Sequence, residues 1–97
     1  MIKYRHSSIF MNINKEAAVF KSLANKTRLS IVKKLAAYDA LHCSELSKTF
    51  RLSQPTLSHH FNILINAGVI HARKEATHMI YSLNKEYLRD MHIIFSK

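Results

Sequence analysis

Residues 53–68 read SQPTLSHHFNILINAG and hold the chain's only proline, Pro55, and its only glycine, Gly68. Both have a place in a single helix. A proline in the first turn lacks an N–H that would have no partner there anyway, and Ser53 or Gln54 just before it can cap that end. Leu57, Phe61, Leu64 and Ile65 recur at i, i+4, i+7 and i+8, which predicts a buried stripe. Gly68 stands where a left-handed residue ends a helix. Thr56, Ser58, His59, Asn62 and Asn66 point away from the stripe, and none of them is acidic.

Working outward, Ser44 opens a short helix, ELSKTF, and RLS makes a tight turn into the bracketed segment. A short helix, a turn and a longer helix with a polar outer face make a helix-turn-helix. Further upstream Asn25 caps KTRLSIVKKLAAY, whose Leu29, Val32, Leu35 and Ala36 form one stripe, and DALHC breaks the pattern. Asn14 is the expected cap of KEAAVFKSLA, with residues 1–13 as an N-terminal arm or a lead-in helix. After Gly68 the period changes to two. VIHAR and HMIYSL read as strands, with Met79, Tyr81 and Leu83 inward and KEAT as a four-residue loop that puts Arg73 and Lys74 at its tip. Asn84 caps a last helix over 85–97. The expected fold is mainly α with one β-hairpin, a winged helix-turn-helix of order α-α-α-α-β-β-α, forming one domain over 1–97.

Charge points to the partner. Fifteen Lys and Arg against six acids leave +9 on 97 residues, a field that attracts polyanions. Placed in a major groove, Gln54, Thr56, Ser58, His59, His60 and Asn62 offer short polar groups to base edges. The hairpin beside them is a wing that brings Arg73, Lys74 and His78 to phosphates or to the flanking minor groove. The sequence calls for double-stranded DNA as partner and for no cofactor. Its one cysteine, Cys43, fits a reducing cytoplasm, and no apolar run is long enough for a membrane span. An enzyme is excluded on chemistry. Ser58 and His59 diverge by about 100° on a helix and cannot form a catalytic pair, and one glycine cannot build a phosphate loop.

FKSLANKTRLSIVKKL, SELSKTFRLSQPTLSHHFNILINAGVI and ARKEATHMIYSL together resemble the ArsR (ArsR/SmtB) family of winged-helix repressors over about residues 17–84. The resemblance implies a homodimer that binds an inverted-repeat operator and releases it when an inducer, often a metal ion, binds. It implies dimerisation through the first and last helices, here Phe10, Ile13, Ala17 and Phe20 with Leu88, Met91, Ile94 and Phe95 on a C-terminal dimerisation helix over 84–97. Arg51 falls where many relatives have a turn glycine, adding a cation beside the DNA. Ala76-Thr77 replaces the usual Gly-Arg of the wing tip.

The family's arsenic and lead/cadmium sensors carry Cys-x-Cys before the third helix, where this chain has His42, Cys43 and Ser44. Its zinc sensors use Asp-x-His on the last helix, matched by Asp90 and His92, but the complementary His and Glu would fall beyond Lys97. One sulfur is too few for a soft-metal thiolate site. The expectation is therefore a repressor without the family's complete metal site. Two alternatives stand beside it: a metal- or thiol-responsive sensor using His42/Cys43 or Asp90/His92, and a winged helix that binds protein or RNA.

Overall fold

A computed structural model describes the backbone of residues 2–93 and the side chains of residues 13–93. Five helices and three short strands follow in the order α1 (Ile2–Leu23), α2 (Lys26–Ala37), β1 (Leu41–His42), α3 (Cys43–Phe50), α4 (Gln54–Asn66), β2 (Ile70–Glu75), β3 (His78–Leu83) and α5 (Lys85–Asp90). The helix-turn-helix and the hairpin stand as the sequence predicts. Four details differ.

First, α1 runs unbroken through Asn14, so that residue is not a cap and residues 2–13 are the lead-in helix rather than an arm. Asparagine inside a helix costs only some tenths of a kcal/mol, and no glycine or proline stands nearby to stop it. Second, DALHC contains a strand. Leu41 pairs with Tyr81 and His42 with Ile80, making a three-stranded sheet in the order β1-β3-β2 rather than a lone hairpin. Two residues are too few to show a period. Third, β2 extends through Glu75, so the hairpin turns on Ala76 and Thr77 alone and Arg73 and Lys74 lie within the strand. Fourth, α5 stops at Asp90 instead of running on. The His92 amide bonds the Arg89 carbonyl at 2.9 Å and the Ile93 amide bonds Leu88 at 2.8 Å. His92 takes φ +61 between them, so this is a Schellman ending with histidine where glycine is usual. Residues 94–97, with Ile94 and Phe95, lie outside the described residues, as does the side chain of Phe10.

The core lies where α1, α2 and α4 meet the sheet. Val19, Ile31, Val32, Leu35, Leu57 and Leu64 are fully buried there. Phe61 joins α4 to β3, its ring 3.9 Å centroid to centroid from that of Tyr81 and tilted by 31°. Burial, and then the neighbouring Cys43, push the Tyr81 phenol above its ordinary value. Leu88 and Met91 also belong to this core, at 2% and 8% exposure.

Gly68 ends α4 with the same hydrogen-bond pattern as His92 ends α5. Its amide bonds the Ile65 carbonyl and that of Val69 bonds Leu64, each at 2.9 Å, while Gly68 takes φ +83. Leu64 and Val69 are both fully buried, supplying the apolar contact that accompanies the motif. Asn84 ties this corner to α5: its side-chain amide donates to the Gly68 carbonyl at 3.0 Å, and its Oδ1 accepts from the Tyr87 amide.

Candidate nucleic-acid interface

The interface is built from two caps and a turn. Glu45 accepts a hydrogen bond from the His42 amide at 2.9 Å and starts α3. At its end Arg51 adopts φ +53 and ψ +41, and its amide bonds the Ser47 carbonyl. The left-handed conformation costs about 1 kcal/mol for a residue with a Cβ. Two residues later Ser53 caps α4, accepting from the Thr56 amide at 3.4 Å while its hydroxyl donates to the Thr56 oxygen at 2.9 Å. Since Thr56 receives that proton, its own hydroxyl hydrogen is left to donate outward.

Gln54, Thr56, Ser58, His59 and Asn62 are all exposed on α4. No residue of this helix is charged, so its outward face offers hydrogen-bonding groups and the positive end of its dipole rather than point charges. Gln54 is partly engaged, because the Cys43 thiol donates to its Oε1 at 3.3 Å. His60 sits apart from the others. It is half-buried and turned to Arg28, whose Nη1 lies 3.4 Å from its Nδ1. Burial, then Arg28 and then His59, hold the His60 imidazole below its ordinary pKa. Arg28 was invisible to the sequence reading. It is 32 residues from His60, and a single arginine off an apolar stripe carries no pairing signal.

Alternation in the hairpin divides the wing cations. Lys74 shares a face with Ala72 and Tyr81, whereas Arg73 and Glu75 share the other. Arg73 is held by Glu75 through Nη2 at 2.8 Å and Nε at 2.9 Å. Lys74 is thus the wing cation on the core side of the sheet, and Arg73 carries its own counter-charge. His78 pairs across the strands with Glu75, and its ring meets His42 edge-on at 5.6 Å between centroids. A cleft of about 230 Å³ opens between the start of α3, the start of α4 and the wing, lined by His42, Cys43, Ser44, Gln54, Thr77, His78 and Met79.

The α3 position offers one thiol, and Asp90 and His92 are separated by the end of α5, with His92 in a left-handed turn outside it. Among the described residues no group of three or more His, Cys, Asp or Glu is placed to hold a metal ion. No helix among them is long and apolar enough to cross a membrane.

A capped helix-turn-helix followed by a hairpin wing defines the class, a winged helix-turn-helix protein. Residues 25–72 match the family profile described as bacterial regulatory protein, arsR family. The chain is 36% identical over 72 residues to the transcriptional repressor SdpR of Bacillus subtilis, covering 74% of this chain and 79% of that one. It superposes on HlyU from Vibrio cholerae with a TM-score of 0.74 at 35% identity, over 82% of this chain and 86% of the other. HlyU is described as a transcriptional activator. The homodimeric winged helix-turn-helix domain of Mb0332 from Mycobacterium bovis aligns with a TM-score of 0.74 at 25% identity, over 90% of this chain and 77% of that one. This chain belongs to the ArsR family. It is a DNA-binding transcriptional regulator and not an enzyme.

Proposed function

We propose that this protein works as a homodimer of single winged-helix domains, each spanning residues 1–97, that covers an inverted-repeat operator and represses transcription without a metal ion as its signal. The observation that carries this reading is the uncharged, exposed N-terminal face of α4, standing on a chain of net charge +9. Gln54, Thr56, Ser58, His59, His60 and Asn62 read bases, and Arg51, Arg73, Lys74 and His78 hold the backbone. Ile13 and Phe20 leave more than half their surface in solvent, at 53% and 56%. With Ala17 they line one face of α1 at helical spacing, a patch that a second copy covers by two-fold symmetry. Leu88 and Met91, which the family resemblance assigns to the same interface, are instead buried in the protomer's own core. The relative named a repressor and the one named an activator are nearly equally similar, at 36% and 35% identity. Repression is proposed because occupancy alone suffices for it, with no added contact to the transcription machinery.

Selecting bound sites from random duplexes tests this reading. The expected product is an inverted repeat whose half-sites lie about one helical turn, roughly 10 bp, apart. Zinc should leave the affinity for it unchanged. Selected fragments sharing no inverted repeat would overturn the reading in favour of a protein- or RNA-binding module.

One observation favours a thiol-responsive form of the same function, the hydrogen bond from Cys43 to Gln54. A peroxide that converts the thiol to a sulfenic acid, itself reduced to water or an alcohol, removes the S–H donor beside a base-reading residue. This form requires peroxide to weaken operator binding in the wild type but not in Cys43→Ser.

A further inference from the structure

Arg28 is anchored independently of DNA. Its Nε donates to the Ser22 carbonyl at the end of α1, and its amide is bonded by the Asn25 side chain at 3.0 Å. Ser22 is itself buried at 2% exposure, its hydroxyl bonded to the Val19 carbonyl at 2.7 Å. A guanidinium so held has only donors to offer, and the one facing α4 is directed at His60 Nδ1, 3.4 Å away. Nδ1 must then be the bare, accepting nitrogen. In a neutral imidazole the remaining hydrogen is on Nε2.

We propose that Arg28 is a positioning residue of the DNA interface: it holds His60 as the neutral Nε2–H tautomer, so that α4 offers a hydrogen-bond donor at this position to an acceptor on the DNA. The proposal rests on the reading of α4 as the base-reading helix. The acceptor is a purine N7 or a phosphate oxygen. Cytosine N4 and adenine N6, which donate, are rejected. The charged and titratable groups acting on the ring are Arg28 from α2 and His59 on α4 itself, and α1 enters through the carbonyl that anchors Arg28. Both oppose protonation of His60, which would turn Nδ1 into a second donor facing a guanidinium.

The test begins with the free, full-length protein labelled with ¹⁵N. Imidazole ¹⁵N–¹H correlation spectra at neutral pH should show His60 with Nδ1 unprotonated and Nε2 protonated. Arg28→Met should mix the tautomers and raise the His60 titration point, and Arg28→Lys, which keeps a donor, should restore part of the wild-type pattern. A protonated Nδ1 in the wild type overturns the tautomer assignment without touching the α4 reading, and this measurement stands even if Arg28→Met fails to fold.

The selected operator is then rebuilt with 7-deazapurines or methylphosphonates, one position at a time. A single position should cost the wild type about five- to tenfold in affinity and cost His60→Ala nothing further. If that position is a 7-deazapurine the acceptor is a base, and if a methylphosphonate it is a phosphate. Equal losses in both proteins at every position would overturn the donor role. Failure to bind any duplex specifically would overturn the α4 reading and the donor role together.

Discussion

Gly68 and Tyr87 lie so close that a Cβ on the glycine would stand 2.7 Å from Tyr87 Cε2. The end of α4 is therefore sealed by the first turn of α5, and the seal needs both a positive φ and the missing side chain. Gly68→Ala should lower stability by well over 1 kcal/mol, since it adds a steric clash to left-handed strain. Tyr87→Leu in the same chain should recover part of the loss. Denaturant midpoints of the two single variants and the double variant measure the coupling, and additive effects would deny the contact.

Ala76 and Arg51 both adopt positive φ, at +56 and +53. Ala76 has its positive φ at the first position of a two-residue hairpin loop, where a II′ turn favours glycine. Ala76→Gly and Arg51→Gly should each raise stability by some tenths to about 1 kcal/mol, less what glycine adds to the unfolded chain's entropy. Only Arg51→Gly should also reduce the salt dependence of DNA binding, by about one counterion.

Base-reading and phosphate-binding roles separate under substitution. Ser58→Ala or His59→Ala should cost about 1–3 kcal/mol at particular base pairs and relax preference there. Lys74→Ala should weaken all sequences alike and flatten the salt slope. Arg73→Ala should do less, because Glu75 already neutralises that side chain. Affinities at several salt concentrations, for operator and scrambled duplex, distinguish these outcomes.

His60 predicts how stability varies with pH. Its folded pKa lies below the ordinary histidine value, so the unfolded chain binds the proton more readily. The stabilisation is fully present above the unfolded pKa, about 6.5, and is lost as pH falls from there through the lowered folded value. Arg28→Met should shallow that decline. Unfolding curves at about pH 7.5 and about pH 5.5 measure it in wild type and variant.

The α4 bracket was legible because caps are local chemistry: Ser53, Pro55 and Gly68 each act on backbone groups a few residues away. The apolar stripe of Leu57, Phe61 and Leu64 was legible because its period is the helix's own. What stayed hidden depends on partners far along the chain. Leu41 and His42 form a strand only because Tyr81 and Ile80 meet them, and Arg28 matters only through His60. The polar run KEAT suggested a longer loop because β2 is exposed from His71 onward, so its charges resembled those of a turn. The apolar residues after Asp90 predict a continuing helix, yet His92 accepts a conformation for which glycine is the usual sign.

The helix proposed to read bases carries no charge, while the cations proposed to hold the backbone lie on the turn before it and the strand after it. Attraction to DNA and choice among sequences are therefore inherited separately. On the proposed reading, residues at the start of α4 exchange to redirect the protein to a new operator while its general hold on DNA, and the rate at which it searches the chromosome, stay as they are. A regulator divided in this way can acquire a new target gene without first losing its grip on the genome.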